Sequence, residues 1–218
     1  MSHILVATGV KREAATLRQP GLVVIPGGGD PIGLRAKLEA AAEGARGIVS
    51  FGMAGALADG LAIGDWVIGD RLCGTVEASC DLAWAAALAA QLPGARIGGV
   101  YADGRMIGTA TEKLSIGAAQ EALAVDMESH IAAAVAAEYG LPFAIVRCIS
   151  DIARHEMPPA ITVAMRADGG VDVAAVLRSL VTRPGQVPDM IATVAGFAWA
   201  MGTLKRGAVR IGPQMGLV

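Results

Sequence analysis

The sequence is poor in aromatic and charged residues, and these shortages exclude one large class of partners. Aromatic residues make up 4% of the 218 positions and charged residues 17%, with a formal net charge of -2. Nucleic-acid-binding proteins usually carry an excess of lysine and arginine, and those that bind single strands also use aromatic rings for base stacking. We therefore expect no nucleic-acid partner.

Cysteine is also scarce, since the chain contains only Cys73, Cys80 and Cys148. Their spacing matches no zinc or redox motif, so we expect neither a metal nor another cofactor. The first residues lack the positive region that precedes the apolar run of a signal peptide. Together with the odd cysteine count, this predicts a protein of the reducing cytoplasm.

Apolar residues are abundant, at 54% of the chain. No apolar run reaches the roughly 18 residues of a membrane span, and the closest extends from Met190 to Leu204, before Lys205 and Arg206. We interpret it as a buried or interface helix. The alternative is a helix on a membrane surface, which would make the protein peripheral at the inner membrane. The apolar surplus also agrees with a homo-oligomer.

Short apolar runs alternate with segments that favour helices. The predicted strands are Ile4–Thr8, Leu22–Ile25, Ile48–Phe51, Trp66–Ile68, Ile97–Tyr101 and Phe143–Val146. The predicted helices are Pro31–Ala42, Asp81–Gln91, Thr111–Ala119, Ile131–Glu138, Asp172–Leu180 and Met190–Leu204, with a loop at 168–170 and an irregular tail from Gly207. This order predicts one α/β domain over residues 1–218, with a twisted, mostly parallel central sheet flanked by helices.

Ligands of such sheets bind beyond the carboxyl ends of the strands. The loops predicted after Thr8, Phe51 and Cys148 should therefore meet at one crevice. That arrangement would bring together Glu13, the segment Gly52–Gly55 and Asp151.

Three acids in apolar surroundings are the candidate catalytic groups: Glu13, Glu128 and Asp151. Each has a structural alternative, because acids are favoured at helix starts and Ser150-Asp151 resembles a cap. Carboxylates beside apolar residues are costly unless they are paired, hydrogen-bonded or used. The three taken together indicate an active site.

Asp126-Met127-Glu128, an alanine-rich helix, an apolar strand and Arg147 followed by Ser150-Asp151 resemble the nucleoside phosphorylase and nucleosidase superfamily. The pattern is most similar to the branch that hydrolyses methylthioadenosine and adenosylhomocysteine. Upstream, Gly52-Met53-Ala54-Gly55 is similar to the family's Gly-x-Ala-Gly segment, and Gly64-Asp65-Trp66-Val67 to its Gly-Asp-x-Val strand.

Further stretches resemble the hopanoid-associated branch of that superfamily. They are Ala124–Ala132, Met157–Ala160, Asp168–Asp172 and the apolar last third. This closer resemblance implies adenosylhopane as the substrate. The family also implies homo-oligomers, of which a dimer is favoured.

The resemblance implies cleavage of the bond between ribose and purine through an oxocarbenium-like transition state. Asp151 would protonate N7 of the departing adenine, oriented by Ser150, and burial would help it to hold a proton. Glu128 would bind the ribose hydroxyls, and Met127 would pack on the sugar face. Glu13 matches the position that activates water.

The segments expected to bind the base and the 5′ substituent are less specific to the family. Arg105-Met106-Ile107 matches the segment whose backbone binds the base, and Met53, His155 and Met157 are expected near the 5′ substituent. The predicted substrate-binding residues are Met53, Gly55, Met106, Met127, Glu128 and Ser150.

The acceptor of the ribosyl group is expected to be water. The hexameric phosphorylases of the family carry arginine and serine at positions that match Ser50 and Met53 here. Phosphorolysis to ribose 1-phosphate stays an alternative, because Gly27-Gly28-Gly29 with Arg35 beyond could bind an anion, or else form a tight turn. A third hypothesis is a nucleoside-binding or membrane-surface protein without turnover.

Overall fold

The computed structural model describes residues 2–162, 178–179 and 181–217. The strands in this part of the chain are β1 (His3–Thr8), β2 (Leu22–Pro26), β3 (Ala45–Ala56), β4 (Trp66–Gly74), β5 (Ala78–Ser79), β6 (Arg96–Ala102), β7 (Ala122–Asp126) and β8 (Phe143–Asp151). The helices are α1 (Lys11–Ala14), α2 (Pro31–Ala40), α3 (Leu82–Gln91), α4 (Ala110–Gln120), α5 (Ser129–Glu138), α6 (Pro159–Thr162) and α7 (Val187–Ile211), with 3₁₀ turns at Ala15–Leu17 and Pro184–Gln186.

Five of the strands close into a ring within a single mixed sheet. β3 pairs with β8, β8 with β4, β4 with β6, β6 with β7, and β7 returns to the far end of β3. β1 and β2 extend the sheet beyond β3, while β5 lies beside β4. The pairings of β3 with β7, β4 with β5 and β4 with β8 are antiparallel and the other five are parallel, which confirms the mostly parallel α/β prediction.

The helix starts follow the capping signals in the sequence. The Asp30 carboxylate accepts a hydrogen bond from the Gly33 amide at 2.9 Å, and Pro31 occupies the first turn of α2. Asp81 caps α3 in the same way, with the Trp84 amide at 2.9 Å. A side chain at this position satisfies an amide that has no partner inside the helix, so these predicted helices are confirmed close to their expected starts.

Helices cover both faces of the sheet with separate apolar cores. Leu34 and Ile131 belong to the core that α2 and α5 form on one face. Trp84 and Leu204 belong to the core that α3 and α7 form on the other. This two-sided covering explains why the central strands are apolar along their whole length.

Several predictions about the elements were wrong. The Gly52–Gly55 segment is part of β3 rather than a loop, and Ala124–Asp126 lies in β7, a strand that was not predicted. Helix α7 continues to Ile211, into the predicted irregular tail. Among the described residues, α7 is long and apolar enough to cross a membrane by length and composition, contrary to the prediction from apolar runs. The loop predicted at 168–170 and the helix predicted to start at Asp172 lie outside the described residues.

Candidate active site

One cavity of about 170 Å³ opens at the ends of β1, β3, β7 and β8. It is lined by all eight predicted site residues, namely Glu13, Met53, Gly55, Met106, Met127, Glu128, Ser150 and Asp151. A neighbouring cavity of about 300 Å³ shares Arg105, Met127 and Glu128 with it. Glu128 therefore borders both cavities.

Glu13 is buried, with 4% of its surface exposed, and is held by main-chain amides. One carboxylate oxygen accepts from the Met53 amide at 2.8 Å and the other from the Val10 amide at 2.9 Å. Burial raises the pKa of Glu13, and the amides of Met53 and Val10 partly oppose this shift. A carboxylate that is fixed in place and easily protonated suits a general base.

Glu128 follows β7 directly and meets Glu13 across Gly9. A Cβ atom placed on Gly9 would lie 3.0 Å from a Glu13 oxygen and 3.2 Å from a Glu128 oxygen. Burial, together with the negative charges of Asp126 and Glu13, raises the pKa of Glu128 to about 8 against the opposing effect of Arg147. The free site therefore holds a shared excess of negative charge that favours a proton or a cation.

A buried polar network fixes the turn that carries Glu128. Asp126 accepts hydrogen bonds from the amides of Glu128 and Ser129 at 2.8 and 2.7 Å, and from the Arg147 Nε at 2.9 Å. The hydroxyls of Ser50 and Ser129 contact each other and the Arg147 guanidinium. Ser50 is fully buried and absent from the cavity wall, so it cannot contribute to a phosphate site there.

The same guanidinium leaves one nitrogen free beside Glu13. Arg147 Nη1 is buried and has no hydrogen-bond partner in the described part of the chain. A Cβ atom on Gly52 would lie 2.8 Å from this nitrogen and 2.9 Å from a Glu13 oxygen. Because a buried donor is costly without a partner, this position suits a small polar molecule such as water.

Asp151 sits at the end of β8 between a lysine and a histidine. One carboxylate oxygen forms an ion pair with Lys113, whose side chain is fully buried, and the other lies 2.9 Å from His155 Nδ1. The Lys113 ammonium also donates to the carbonyls of His155 at 2.8 Å and Ile152 at 3.3 Å. Sequence reasoning missed Lys113, because a lysine on a predicted helix normally faces solvent.

The surroundings of Asp151 differ from those expected. Ser150 does not orient this carboxylate, since its hydroxyl donates to the carbonyl of Ala54 at 3.3 Å. His155 is not among the residues that line this cavity, and its ring contacts Asp151 instead. Asp151 is therefore positioned by charged groups and not by the serine of its motif.

The rest of the cavity wall is mostly apolar. Met106, Ile107 and Met157 line it as expected, while Phe197 of α7 reaches it without having been predicted. The Arg105 side chain is 63% exposed and pairs with Asp103 and Glu112. Methionine side chains adapt to irregular apolar groups, so this wall suits an apolar part of a ligand.

The glycine turn after β2 behaves as a tight connection. The amides of Gly27 and Gly28 donate to the carbonyls of Thr8 and Gly9, both at 2.7 Å. Arg35 pairs with Glu39 and Glu138 on the surface. Since these amides and this guanidinium already have partners, the contacts favour a structural turn over an anion site.

A sequence model of the phosphorylase superfamily matches residues 14–182. The S-adenosylhomocysteine nucleosidase of Streptococcus pyogenes, bound to 5-methylthiotubericidin, is 22% identical with a TM-score of 0.63, over 83% of this chain and 96% of that one. The S. pneumoniae 5′-methylthioadenosine/S-adenosylhomocysteine nucleosidase with the inhibitor MT-ImmA is 17% identical with a TM-score of 0.65, over 97% and 100%. Helicobacter pylori futalosine hydrolase is 16% identical with a TM-score of 0.61, over 83% and 97%. No curated protein matches the sequence.

Proposed function

The chain belongs to the phosphorylase superfamily, and from that membership we propose that it hydrolyses the N-glycosidic bond of an adenosine derivative and releases the base. The observation that carries the proposal is the convergence of Glu13, Glu128 and Asp151 on one cavity. Proteins of this fold include nucleosidases for methylthioadenosine and adenosylhomocysteine and a futalosine hydrolase. The Streptococcus pyogenes enzyme was solved with a nucleoside analogue.

Glu128 is assigned to the sugar. Cleavage of the bond leaves positive charge on the ribose, and an ionised carboxylate beside it stabilises that charge. The turn at 126–129 is rigid, because Asp126 holds the amides of both Glu128 and Ser129. Met127, from the same turn, packs on the sugar face.

Glu13 is assigned to the attacking water. Its carboxylate lies on the cavity wall and accepts one of the water's protons. A phosphate dianion at this position would have to approach both Glu13 and Glu128, and like charges at such distances repel strongly in a buried site. This electrostatic environment favours hydrolysis over phosphorolysis.

Asp151 is assigned to the departing base. It lies on the wall of the cavity near Gly55, where a built Cβ would be 3.8 Å from its carboxylate. Hydrogen bonding to N7 of a purine would offset the negative charge that builds up on the leaving group. Met106 and Ile107 border the same space.

For the 5′ substituent we propose a large apolar group, with adenosylhopane as the best candidate. Met53, Met157 and Phe197 provide an apolar wall. Phe197 belongs to α7, which exposes Ile191 and Trp199 at 65% and 64%. This apolar surface supports a cytoplasmic enzyme that contacts the inner membrane peripherally, or a homodimer that covers the same helix.

The test is an assay of free adenine with adenosylhopane and with methylthioadenosine, each with and without phosphate. We expect adenine and free ribose product from at least one substrate, at a rate independent of phosphate. Ribose 1-phosphate would establish phosphorolysis instead. Tight adenine binding without product from either substrate would support a non-catalytic binding protein.

Two separate measurements test whether the protein contacts a membrane and whether it forms oligomers. Flotation with anionic liposomes should carry the protein upward if α7 lies on a membrane surface, and light scattering gives its mass in solution. A protein that stays wholly in the soluble fraction contradicts the membrane part of the proposal and leaves the nucleosidase part intact.

A further inference from the structure

We propose that His155 and Lys113 form, with Asp151, a proton relay that supplies the departing base from solvent. The inference rests on the proposed function and adds the origin of the proton. Asp151 contacts the cavity, whereas His155 and Lys113 lie behind it. Asp151 is thus the acid in contact with substrate, and the other two are positioning residues that act through it.

Lys113 determines the position of Asp151. Its side chain is fully buried and is surrounded by three acceptors: the Asp151 carboxylate and the carbonyls of Ile152 and His155. An ammonium group has three donor hydrogens, and here each has an acceptor. Lys113 therefore fixes one Asp151 oxygen in place and leaves the other to His155.

His155 is the group that can replace the proton. Its Nδ1 lies 2.9 Å from the Asp151 oxygen that Lys113 leaves free, and its side chain is 29% exposed. Histidine is the side chain best suited to gain and release protons near neutral pH. Lys113 cannot fill this role, because its buried nitrogen has no contact with solvent.

The proposed step conserves atoms and charge. As the bond between C1′ and the base nitrogen breaks, its electron pair moves onto the base. N7 takes a proton from Asp151, and Asp151 takes the Nδ1 proton of His155, which is recharged from solvent through its other nitrogen. Water adds its oxygen to C1′ and gives one proton to Glu13, so the products are the free sugar and the neutral base.

The charged surroundings of the relay are few in the described part of the chain. Asp151 faces His155 from β8, and Lys113 approaches the same loop from α4 through the His155 carbonyl. The adjacent Arg154 turns away and pairs with Asp59 on the surface, where both side chains are mostly exposed. Arg154 therefore provides a matched control one residue from the relay.

The kinetic test compares His155→Gln with Arg154→Gln. Glutamine can keep a hydrogen bond to Asp151 but cannot transfer a proton. We expect kcat of His155→Gln to fall by about 10- to 100-fold with little change in KM, since positioned proton transfer contributes roughly 10²–10⁴. A His155→Gln variant with the kcat of an active wild type would overturn the relay.

A second measurement needs no substrate. ¹⁵N spectra of histidine-labelled protein, with His155 identified by its loss in His155→Gln, report which ring nitrogen carries the proton. We expect the neutral ring to be protonated at Nδ1 and to change tautomer in Asp151→Asn. Protonation at the other nitrogen alone would overturn the dyad. If the wild type released no base from any adenosine derivative, the proposed function would fail while these spectra still tested the pairing.

Discussion

The carboxylates of Glu13 and Glu128 converge on the same face of Gly9, within 3.0 and 3.2 Å of the position that a Cβ atom would occupy there. One acid comes from the first helical turn of the chain and the other from the end of β7. Their proximity keeps a proton on the pair in the free protein, and it leaves space for a sugar only because position 9 has no side chain. Substitutions at Gly9 and at these two acids should therefore change catalysis while the fold is retained.

Gly9→Ala should abolish most turnover while the fold is retained. The added methyl group would contact both carboxylates and occupy the space assigned to water and ribose. We expect kcat/KM to fall by at least about 100-fold, as small displacements of catalytic groups are costly. Gly185→Ala is the control, because a Cβ atom there meets no neighbour. A fully active Gly9→Ala enzyme would contradict the assignment of this space.

Glu128→Gln should stabilise the folded protein at alkaline pH. The pKa of Glu128 is raised to about 8, above its ordinary value near 4.5, so the folded state binds more protons than the unfolded state between these values. Stability is therefore lost as pH rises through this window and then levels off. Removing the charge should recover roughly 1–3 kcal/mol at pH 8 and nearly nothing at pH 4, as measured by urea unfolding.

The titration of Glu128 should also appear in the kinetics. Its ionisation lowers the stability of the folded protein but raises the activity. Ionised Glu128 is the form that stabilises the cationic sugar, so kcat/KM should rise as pH approaches 8. Burial also raises the pKa of Glu13, which acts in the same direction. A profile of kcat/KM from pH 5 to 9 checks this, and a rate that is flat across that range would exclude both acids as essential bases.

Glu13→Gln should slow hydrolysis by about 10²–10⁴ without weakening the binding of adenine, since general base catalysis has about this magnitude. Adenine binding is measured by calorimetry and turnover by base release. Glu43→Gln, at an exposed position, should match the wild type in both. Equal turnover in Glu13→Gln and Glu43→Gln would remove Glu13 from the mechanism.

Asp151→Asn should lower kcat by a similar factor, because asparagine cannot pass a proton to N7. Asp59→Asn, in the exposed pair with Arg154, is the matched control and should keep full activity. Retention of normal turnover in Asp151→Asn would exclude Asp151 as the acid.

Lys113→Met should destabilise the protein by about 3–5 kcal/mol, because it removes the buried ion-pair partner of Asp151 and leaves only the contact with His155. The double variant Lys113→Met with Asp151→Asn should be more stable than the sum of the two single losses predicts. Urea unfolding of the four proteins gives this coupling free energy. Additive losses would show that the two side chains do not interact.

The sequence predicted the parts of this structure that depend on local patterns. Asp30 and Asp81 marked helix starts correctly, because a cap is decided by a few neighbouring residues. The predicted site residues line one cavity, because they lie near or beyond the ends of strands that the fold directs to the same edge. Their chemical roles remain proposals.

Lys113 and the ring closure could not be predicted for a physical reason. Lys113 is indistinguishable from a surface lysine until α4 is placed against the loop after β8. The return of β7 to β3 depends on an antiparallel pairing between distant segments, at Gly55 with Val125 and Ala56 with Ala124. Pairings between distant segments leave no periodic signal in either strand.

Because the ring of strands closes through so short a pairing, the site can open while the rest of the fold stays intact. The ring is completed by only two residue pairs, and Gly55 and Val125, which form one of them, also line the cavity. Amide hydrogen exchange at Ala56 and Ala124 should therefore be faster than in the centre of β3 or β8, because short pairings open more easily than long ones. Each such opening takes the cavity wall apart, so this enzyme would lose activity on heating before its core unfolds.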